Sequence, residues 1–355
     1  LPLSVLAVSV CSDRPEATPP LVDRLELADL SHDIDGGAYG EVAAIIVSQG
    51  AQILFEDYFG GSGPDRVVDT RSVGKSLTAL AVGIALDEGL LPGLDMPALS
   101  AFEDRAPFAH DGLPKRAITL EDLLGMTSAL DCDDWDPRNH GNEERMYRTQ
   151  DWTGFALDLP VLSEQQGVEI RQDRFRYCTA GVFLLGQVVE RSAGLAFDEF
   201  MAARLFAPLG IEDVVWRRSP SGEVQSGGQL GLRARDAERI GRLVLQDGVW
   251  EGERIVSSAW IAEMLTPRTT PAPGFRYGLL WWLADLAETP GAPPAQAAMM
   301  VGNGGNLVVV LPSLDAVIVV QARNYNRPGH FEMSMAIVRE ILVPALQRRG
   351  ATRSP

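Results

Sequence analysis

The sequence contains a Ser-x-x-Lys motif, Ser72 to Lys75, within the stretch TRSVGKSLTAL. Residues three apart lie on one face of an α-helix, so the Lys75 amine can reach the Ser72 hydroxyl if a helix begins here. A lysine amine withdrawn from water can act as a general base and turn a serine into a nucleophile. Ser72 can equally be a helix cap beside a solvated lysine, so the motif alone does not decide the chemistry.

The residues after Ser72 predict the helix that this chemistry needs. Apolar residues recur at helical spacing over 72–88, and Gly89 is typical of a helix end. Ser72 is therefore expected at a helix N-terminus, where free N–H groups and the helix dipole favour a developing negative charge.

A tyrosine and a glycine-rich segment come later in the chain. Tyr177 stands just before an apolar helical pattern over 181–191, and the run Gly302-Asn303-Gly304-Gly305 is predicted at the start of a strand. Glycines in a strand often mark a close approach by a ligand or another backbone. Taken singly, each of these features also fits ordinary packing.

In this order, the three features resemble those of the penicillin-recognising serine hydrolases. The likeness is greatest to relatives of class C β-lactamases: family VIII carboxylesterases, CubicO-type hydrolases and 6-aminohexanoate-dimer hydrolases. It extends over about residues 25–346 and includes the stretches FRYCTAGVFLLGQVVERSAG and GGQLGLRARDAERIGRLVL.

The resemblance implies a role for each matching residue. Ser72 would be the acylated nucleophile, Lys75 its base, and Tyr177 the second proton-transfer group. The backbone N–H groups of Ser72 and Asn306 would form the oxyanion hole. Asn303 stands where β-lactamases carry lysine and many relatives carry histidine.

Two departures from the family pattern bear on the substrate. Thr179 replaces the asparagine of the usual Tyr-x-Asn motif, and Asn303-Gly304-Gly305 replaces Lys-Thr-Gly. The second change removes a cation that would pair with a β-lactam carboxylate. Both changes count against a penicillinase, and both leave acyl transfer from an uncharged ester or amide open.

The acidic stretch 131–152 predicts a long loop that is either a lid or a binding loop. Its aromatic residues Trp135, Tyr147 and Trp152 either line a substrate pocket or anchor the loop, and the sequence favours neither interpretation. The aspartates lack the order of a calcium-binding loop, and the four histidines lack metal-binding spacing, so we predict no metal and no cofactor. The histidines are expected to be surface or structural residues.

The cysteines raise a second hypothesis. Cys132 lies in the acidic loop and Cys178 follows Tyr177, so a disulfide between them would pin the loop against the site. Sequence alone leaves the pairing open, because it depends on distance in space.

Composition and charge narrow the partners and the location. The chain has 355 residues and a net charge of −17, which argues against nucleic acid. Its longest apolar runs are too short for a membrane span. Residues 1–24 resemble the end of a secretion signal and a tether, which predicts export to the periplasm or the medium. Cys11 is a candidate for a lipid anchor, although Val10 stands where such signals carry a small residue.

The elements predict an α+β fold. Strand-like patterns occur near the N-terminus and again in three runs over 275–284, 298–312 and 315–324, followed by an amphipathic helix over 330–348. A mainly helical section lies between them. We therefore predict one antiparallel sheet built from both chain ends. Residues 25–66 and 268–355 would form the lobe that contains the sheet, and residues 67–267 would form a mainly helical lobe.

These observations predict a serine hydrolase acting on a small ester, with carboxylesterase as the first choice. Amide hydrolysis is the second choice, and weak β-lactamase activity is a further alternative. A protein of another class also fits: a penicillin-binding sensor that is acylated and does not hydrolyse its ligand, for which the loss of asparagine at position 179 is the argument.

Overall fold

The two ends of the chain build one antiparallel sheet, as predicted. The computed structural model describes Leu25 and residues 27–162, 175–286 and 294–353; the predicted signal segment and Cys11 lie outside these residues. In chain order the strands are β1 Val42–Gln49, β2 Gln52–Tyr58, β3 Val68–Asp69, β4 Val215–Trp216, β5 Leu230–Leu232, β6 Val249–Trp250, β7 Glu253–Arg254, β8 Thr269–Ala272, β9 Phe275–Tyr277, β10 Trp282–Leu286, β11 Ala295–Gly302, β12 Asn306–Leu311 and β13 Ala316–Ala322.

Eight strands form the main sheet in the order β2-β1-β13-β12-β11-β10-β9-β8. The N-terminal strand β1 pairs with the C-terminal strand β13, with Ile45 opposite Val320. Strands β3, β5 and β4 form a small second sheet, and β6 and β7 form a hairpin. The pairing of β1 with β13 is what joins the two ends of the chain.

The three predicted C-terminal strand runs form five strands. Residues 278–281 separate β9 from β10, and the glycine-rich segment lies in the turn between β11 and β12 rather than at the start of one strand. Gly304 and Gly305 have φ of 91° and 89°, the left-handed region that favours glycine and interrupts an extended strand. The glycine run therefore makes a hairpin that ends β11 at Gly302.

The helices lie mainly between the two sets of strands. They are α1 Ala28–Asp35, α2 Val73–Asp87, α3 Leu113–Arg116, α4 Leu120–Leu124, α5 Glu143–Met146, α6 Trp152–Leu157, α7 Thr179–Ala193, α8 Phe197–Met201, α9 Ala234–Leu245, α10 Ser258–Met264, α11 His330–Ala336 and α12 Val343–Arg353. A 3₁₀ segment covers Ala98–Arg105, and π-helical turns Ala202–Phe206 and Ile337–Leu342 extend α8 and join α11 to α12.

Both faces of the main sheet are covered, which explains the nearly continuous apolar strands. In β1, Ala44 and Ile46 pack into the core shared with the helical region, whereas Ile45 and Val47 pack into the core under the terminal helices. Side chains alternate between the faces of a strand, so covering both faces requires apolar residues at every position. The lobe boundaries at residues 66 and 267 stay a prediction.

The predicted helix over 72–88 is confirmed as α2, which lies at the centre of the molecule. Its residues from Val73 to Ala85 are all buried, because α7 packs against it on one side and β11 and β12 on another. Gly83 allows the close contact with Trp260: a Cβ there would lie 2.0 Å from the indole ring. Of the helices in the described ranges, none is long and apolar enough to cross a bilayer.

Candidate active site

Ser72 and Lys75 are in direct contact at the start of α2. The Lys75 Nζ donates a hydrogen bond to Ser72 Oγ at 3.1 Å and another to the Gly227 carbonyl oxygen at 2.6 Å. Lys75 is only 1% exposed. Its two hydrogen bonds hold the amine within reach of the serine hydroxyl, which is the geometry that a general base requires.

The turn before Ser72 is held in a strained conformation. Arg71 has φ of 56°, which costs a non-glycine residue about 1 kcal/mol. Its backbone N–H donates to Asp69 Oδ1 at 2.9 Å, and its guanidinium lies 4.5 Å from the centroid of the Tyr325 ring. Tyr325 in turn donates to the Asp69 carbonyl oxygen at 2.7 Å. These contacts fix the direction in which the chain enters α2 and presents Ser72.

Tyr177 completes the contact with Ser72. Its side chain interacts with that of Ser72, and both line the same cavity. The Lys75 Nζ lies 4.9 Å from its ring centroid, and the Trp135 ring stacks on it at 5.5 Å. Burial raises the pKa of Tyr177, while the charge of Lys75 and the interaction with Ser72 act in the opposite direction. The phenol is therefore protonated at neutral pH and can give its proton to a leaving group.

These residues open into a cavity of about 560 Å³. Its wall combines aromatic faces, carboxylates and the edge of β11. The lining residues are Ser72, Asp134, Trp135, Glu143, Tyr177, Ala272, Phe275, Trp282, Val301, Gly302, Asn303, His330, Phe331 and Glu332. A cavity of this size that contains the Ser-Lys-Tyr group is large enough for a small organic substrate.

The end of β11 approaches the turn before Ser72 very closely. A Cβ on Gly302 would lie 2.0 Å from the Thr70 carbonyl oxygen, so only glycine fits there. Beside it, the Asn303 side chain donates to Asn326 Oδ1 at 3.0 Å and accepts from the Asn326 N–H at 2.9 Å. Asn303 lines the cavity, whereas Gly304 and Gly305 form the turn behind it.

Asn306 has a structural position inside this hairpin. Its amide donates to the carbonyl oxygens of Asn303 and Ala322 at 2.9 and 3.0 Å, and it accepts from the Ala322 N–H. It is buried and outside the cavity lining, while its pairing partner Gly302 lines the cavity. Asn306 as the second oxyanion donor stays a prediction, and Gly302 of the same hairpin closely approaches the turn before Ser72.

Three acidic residues of the cavity lining, Asp134, Glu143 and Glu332, were not identified as site residues from the sequence. Asp134 accepts from the Thr179 N–H at 2.6 Å and from the Glu143 N–H at 2.8 Å. Burial, and then the charge of Glu143, raise the pKa of Asp134 to about 7 against the opposing effects of Lys75 and the bond from Thr179. The cysteines could have indicated that Asp134 belongs to the site. Asp134 is two residues from Cys132, and the predicted partner Cys178 is next to Tyr177.

Three other predicted substrate-binding residues lie away from the cavity lining. Thr179 is buried at the first position of α7. Tyr147 donates to Glu143 Oε2 at 2.7 Å, and Trp152 is 1% exposed with its ring packed edge-on against Phe183. Of the three loop aromatics, Trp135 lines the cavity and the other two anchor the loop to the helical region.

The acidic loop is tied to the start of α7. A disulfide joins Cys132 to Cys178, with their Cα atoms 5.3 Å apart. Within the described ranges, no group of histidine, cysteine and acidic side chains is arranged to hold a metal ion. His330, expected at the surface or in a structural position, lines the cavity, and burial lowers its pKa.

The chain matches a known protein family over most of its length. A family model described as Beta-lactamase matches residues 33–338. The 6-aminohexanoate-dimer hydrolase of Paenarthrobacter ureafaciens is 27% identical over 297 residues, which cover 78% of this chain and 74% of that protein.

Solved structures show the same fold at low identity. A mutant of simvastatin synthase from Aspergillus terreus has a TM-score of 0.69 at 16% identity, over 90% of this chain and 98% of that one. EstCE1, a hydrolase with promiscuous acyltransferase activity, has a TM-score of 0.68 at 16% identity, over 86% of this chain and 96% of that one. The arrangement of Ser72, Lys75 and Tyr177 therefore lies on a fold that is shared among these proteins.

Proposed function

Because the chain belongs to the beta-lactamase family and is a hydrolase of that family, we propose that it hydrolyses a small carboxylic ester through a serine acyl-enzyme. One observation carries the proposal: Ser72 Oγ accepts a hydrogen bond from the buried Lys75 amine at 3.1 Å, and the Tyr177 side chain interacts with the same serine. A nucleophile, a base and a second proton carrier thus lie together at the edge of a cavity.

The proposed reaction has two halves. The Lys75 amine takes the Ser72 proton as Oγ attacks the ester carbonyl carbon, and Tyr177 gives its proton to the departing alkoxide, which leaves as the alcohol. Lys75 then gives the proton that it took from Ser72 to Tyr177, so that both groups regain their starting states. In the second half Tyr177 passes a proton from a water molecule to Lys75 as the water oxygen attacks the acyl carbon. Lys75 then gives this proton to Ser72 Oγ as the Ser72–acyl bond breaks and the acid is released.

The developing oxyanion needs N–H donors at the start of α2. The Ser72 N–H is at the N-terminus of a 15-residue helix, where the dipole favours negative charge. We propose that the second donor comes from the end of β11, at Gly302 or at the predicted Asn306. The close approach of Gly302 to Thr70 supports Gly302.

Amide hydrolysis is the second candidate, and the curated relative named as a 6-aminohexanoate-dimer hydrolase supports it. β-Lactam hydrolysis is expected to be weak, because no lysine or arginine is among the described residues that line the cavity. The alternative of an acylated sensor predicts a persistent adduct rather than turnover. The sensor is disfavoured because both proton-transfer groups, Lys75 and Tyr177, are present beside Ser72.

One experiment separates these activities. The protein, Ser72→Ala and the control Ser76→Ala are incubated with p-nitrophenyl acetate, p-nitrophenyl butyrate, 6-aminohexanoate dimer and nitrocefin, and turnover and intact mass are followed. Ser76 is a buried serine of the same helix. Its hydroxyl donates a hydrogen bond to the Leu280 carbonyl oxygen, whereas the Lys75 amine donates to Ser72. Steady ester turnover that is lost only in Ser72→Ala supports the proposal. A stoichiometric burst with a lasting mass adduct supports the sensor, and turnover that survives Ser72→Ala refutes the site.

We also propose that the protein acts outside the cytoplasm, in the periplasm or the medium. The disulfide between Cys132 and Cys178 supports this, because such bonds persist in oxidising compartments. Fractionation of cells that express the full-length gene tests it, and a lipid anchor at Cys11 would appear as a membrane-bound fraction.

A further inference from the structure

The charged side chains that line the cavity are predominantly acidic. Asp134, Glu143 and Glu332 contribute carboxylates, and the described lining contains no lysine or arginine. His330 is the one other titratable side chain in this lining besides Tyr177, and burial lowers its pKa, which favours the neutral ring. A substrate that enters therefore meets negative potential beside the serine.

Asp134 and Glu143, here called the acidic pair, are held rigidly in this position. The Glu143 N–H donates to Asp134 Oδ1 at 2.8 Å, and the Asp134 N–H donates to the Tyr177 carbonyl oxygen at 2.9 Å. Tyr147 donates to Glu143 Oε2 at 2.7 Å. The Cys132–Cys178 disulfide closes the same loop, so the pair has a fixed place beside Tyr177.

Resting on the proposed function, we propose that the acidic pair binds a primary ammonium group of the substrate. The cavity then selects cationic esters or amides over neutral and anionic ones of the same shape. The ammonium is carried either by the acyl part or by the leaving group, and the probes below distinguish the two.

The aromatic side chains of the same cavity also favour a cation. Trp135 and Trp282 line the cavity together with the carboxylates, their ring centroids lie 6.5 Å apart at an interplanar angle of 28°, and aromatic faces attract cations. Both rings line the cavity together with Ser72, so a cation held there is within reach of the reacting serine.

The repulsion between the two carboxylates of the acidic pair also favours a bound cation. The two carboxylates repel each other in a partly buried place, and this repulsion contributes to the raised pKa of Asp134. An ammonium placed between them would offset the repulsion and gain charge-assisted hydrogen bonds. The net charge of −17 adds a long-range field that attracts cations and repels anions.

The test compares substrates of equal shape and different charge. On the acyl side, the p-nitrophenyl ester of trans-4-(aminomethyl)cyclohexanecarboxylate is compared with that of trans-4-ethylcyclohexanecarboxylate. On the leaving-group side, 4-(aminomethyl)phenyl butyrate is compared with 4-ethylphenyl butyrate. For one of the two pairs, we expect kcat/KM of the cationic ester to exceed that of the neutral ester at least about tenfold, the size of a charge-assisted hydrogen bond.

The matched variants are Glu143→Gln and Glu144→Gln. Glu144 is the next residue of α5 and is exposed, so its variant removes the same charge outside the cavity. Glu143→Gln should reduce the cationic preference, which is the ratio of kcat/KM for the cationic ester to kcat/KM for the neutral ester, about tenfold. Glu144→Gln should keep the preference.

A measurement on the unmodified protein does not depend on folding of the variants. n-Pentylammonium should inhibit hydrolysis of p-nitrophenyl butyrate competitively, and pentanoate at the same concentration should not. Equal kcat/KM for both members of both pairs, or equal effects of the two variants, would overturn the inference while Ser72-dependent ester turnover stands. Absence of any Ser72-dependent turnover would overturn the proposed function and this inference together.

Discussion

The contact between Gly302 and the turn before Ser72 gives the most direct test of the active-site geometry. In Gly302→Ala the new Cβ would lie 2.0 Å from the Thr70 carbonyl oxygen, 3.1 Å from the Thr70 carbonyl carbon and 3.3 Å from the Asn306 Cβ. Gly302 is not in the positive-φ region, so the substitution acts through this contact rather than through backbone strain.

The size of the effect follows from the contact. Real Cβ atoms essentially never approach another atom closer than 3.0 Å, so β11 and the Thr70 backbone must separate by about 1 Å. Thr70 is two residues before the nucleophile, and a shift of this size at a reacting centre costs about 100-fold in rate. The cost in folding free energy should be about 1–3 kcal/mol, as for other overpacked sites.

The assay is p-nitrophenyl butyrate hydrolysis, followed with urea unfolding of the same preparations. We expect kcat/KM of Gly302→Ala to fall about 100-fold while the protein remains folded. The control is Gly63→Ala, because a Cβ at Gly63 meets no atom within 4 Å. A folded Gly302→Ala protein with unchanged kcat/KM would refute the assignment of this edge of β11 to the reaction.

Three further predictions test other parts of the site. Lys75→Met should lower the acylation rate of Ser72 about 10³-fold, measured by intact mass with a p-nitrophenyl ester, and a rate within tenfold of the unmodified protein would refute Lys75 as the base. Asp134 holds its proton to about pH 7 in the folded state, above the ordinary value of 3.8, so its contribution to stability falls as pH rises from about 4 to 7, by at most about 4 kcal/mol. In Asp134→Asn this loss is absent and one acceptor is missing, which costs about 1 kcal/mol. Urea unfolding should therefore find the variant about as stable as the unmodified protein at pH 4.5 and more stable by about 3 kcal/mol at pH 8. Parallel pH profiles of the two proteins would contradict this. The Cys132–Cys178 disulfide joins residues that are 46 positions apart, so its reduction should lower the free energy of unfolding by about 4 kcal/mol. An unchanged urea midpoint, in protein whose mass shows both thiols free, would contradict this.

Much of the fold could be predicted from local patterns. The helices α2 and α7 begin and end within two residues of the predicted bounds, 72–88 and 181–191, because each has its own apolar repeat. The antiparallel sheet from both chain ends was also predicted correctly. The count of C-terminal strands was wrong: residues 278–281 and the turn at Gly304 and Gly305 interrupt runs that look continuous in apolar content.

The sequence by itself determined the Ser-x-x-Lys contact, because residues three apart on one helix must be neighbours whatever surrounds them. Tertiary structure alone decided which loop residues reach the cavity. Asp134 and Glu143 line it, while Tyr147 and Trp152 do not, although all four lie in one stretch without periodicity. Likewise, the register of β11 and β12 placed Gly302 beside Thr70 and buried Asn306 in the hairpin. Such positions depend on contacts between segments far apart in the chain, and spacing along the sequence carries no information about those distances.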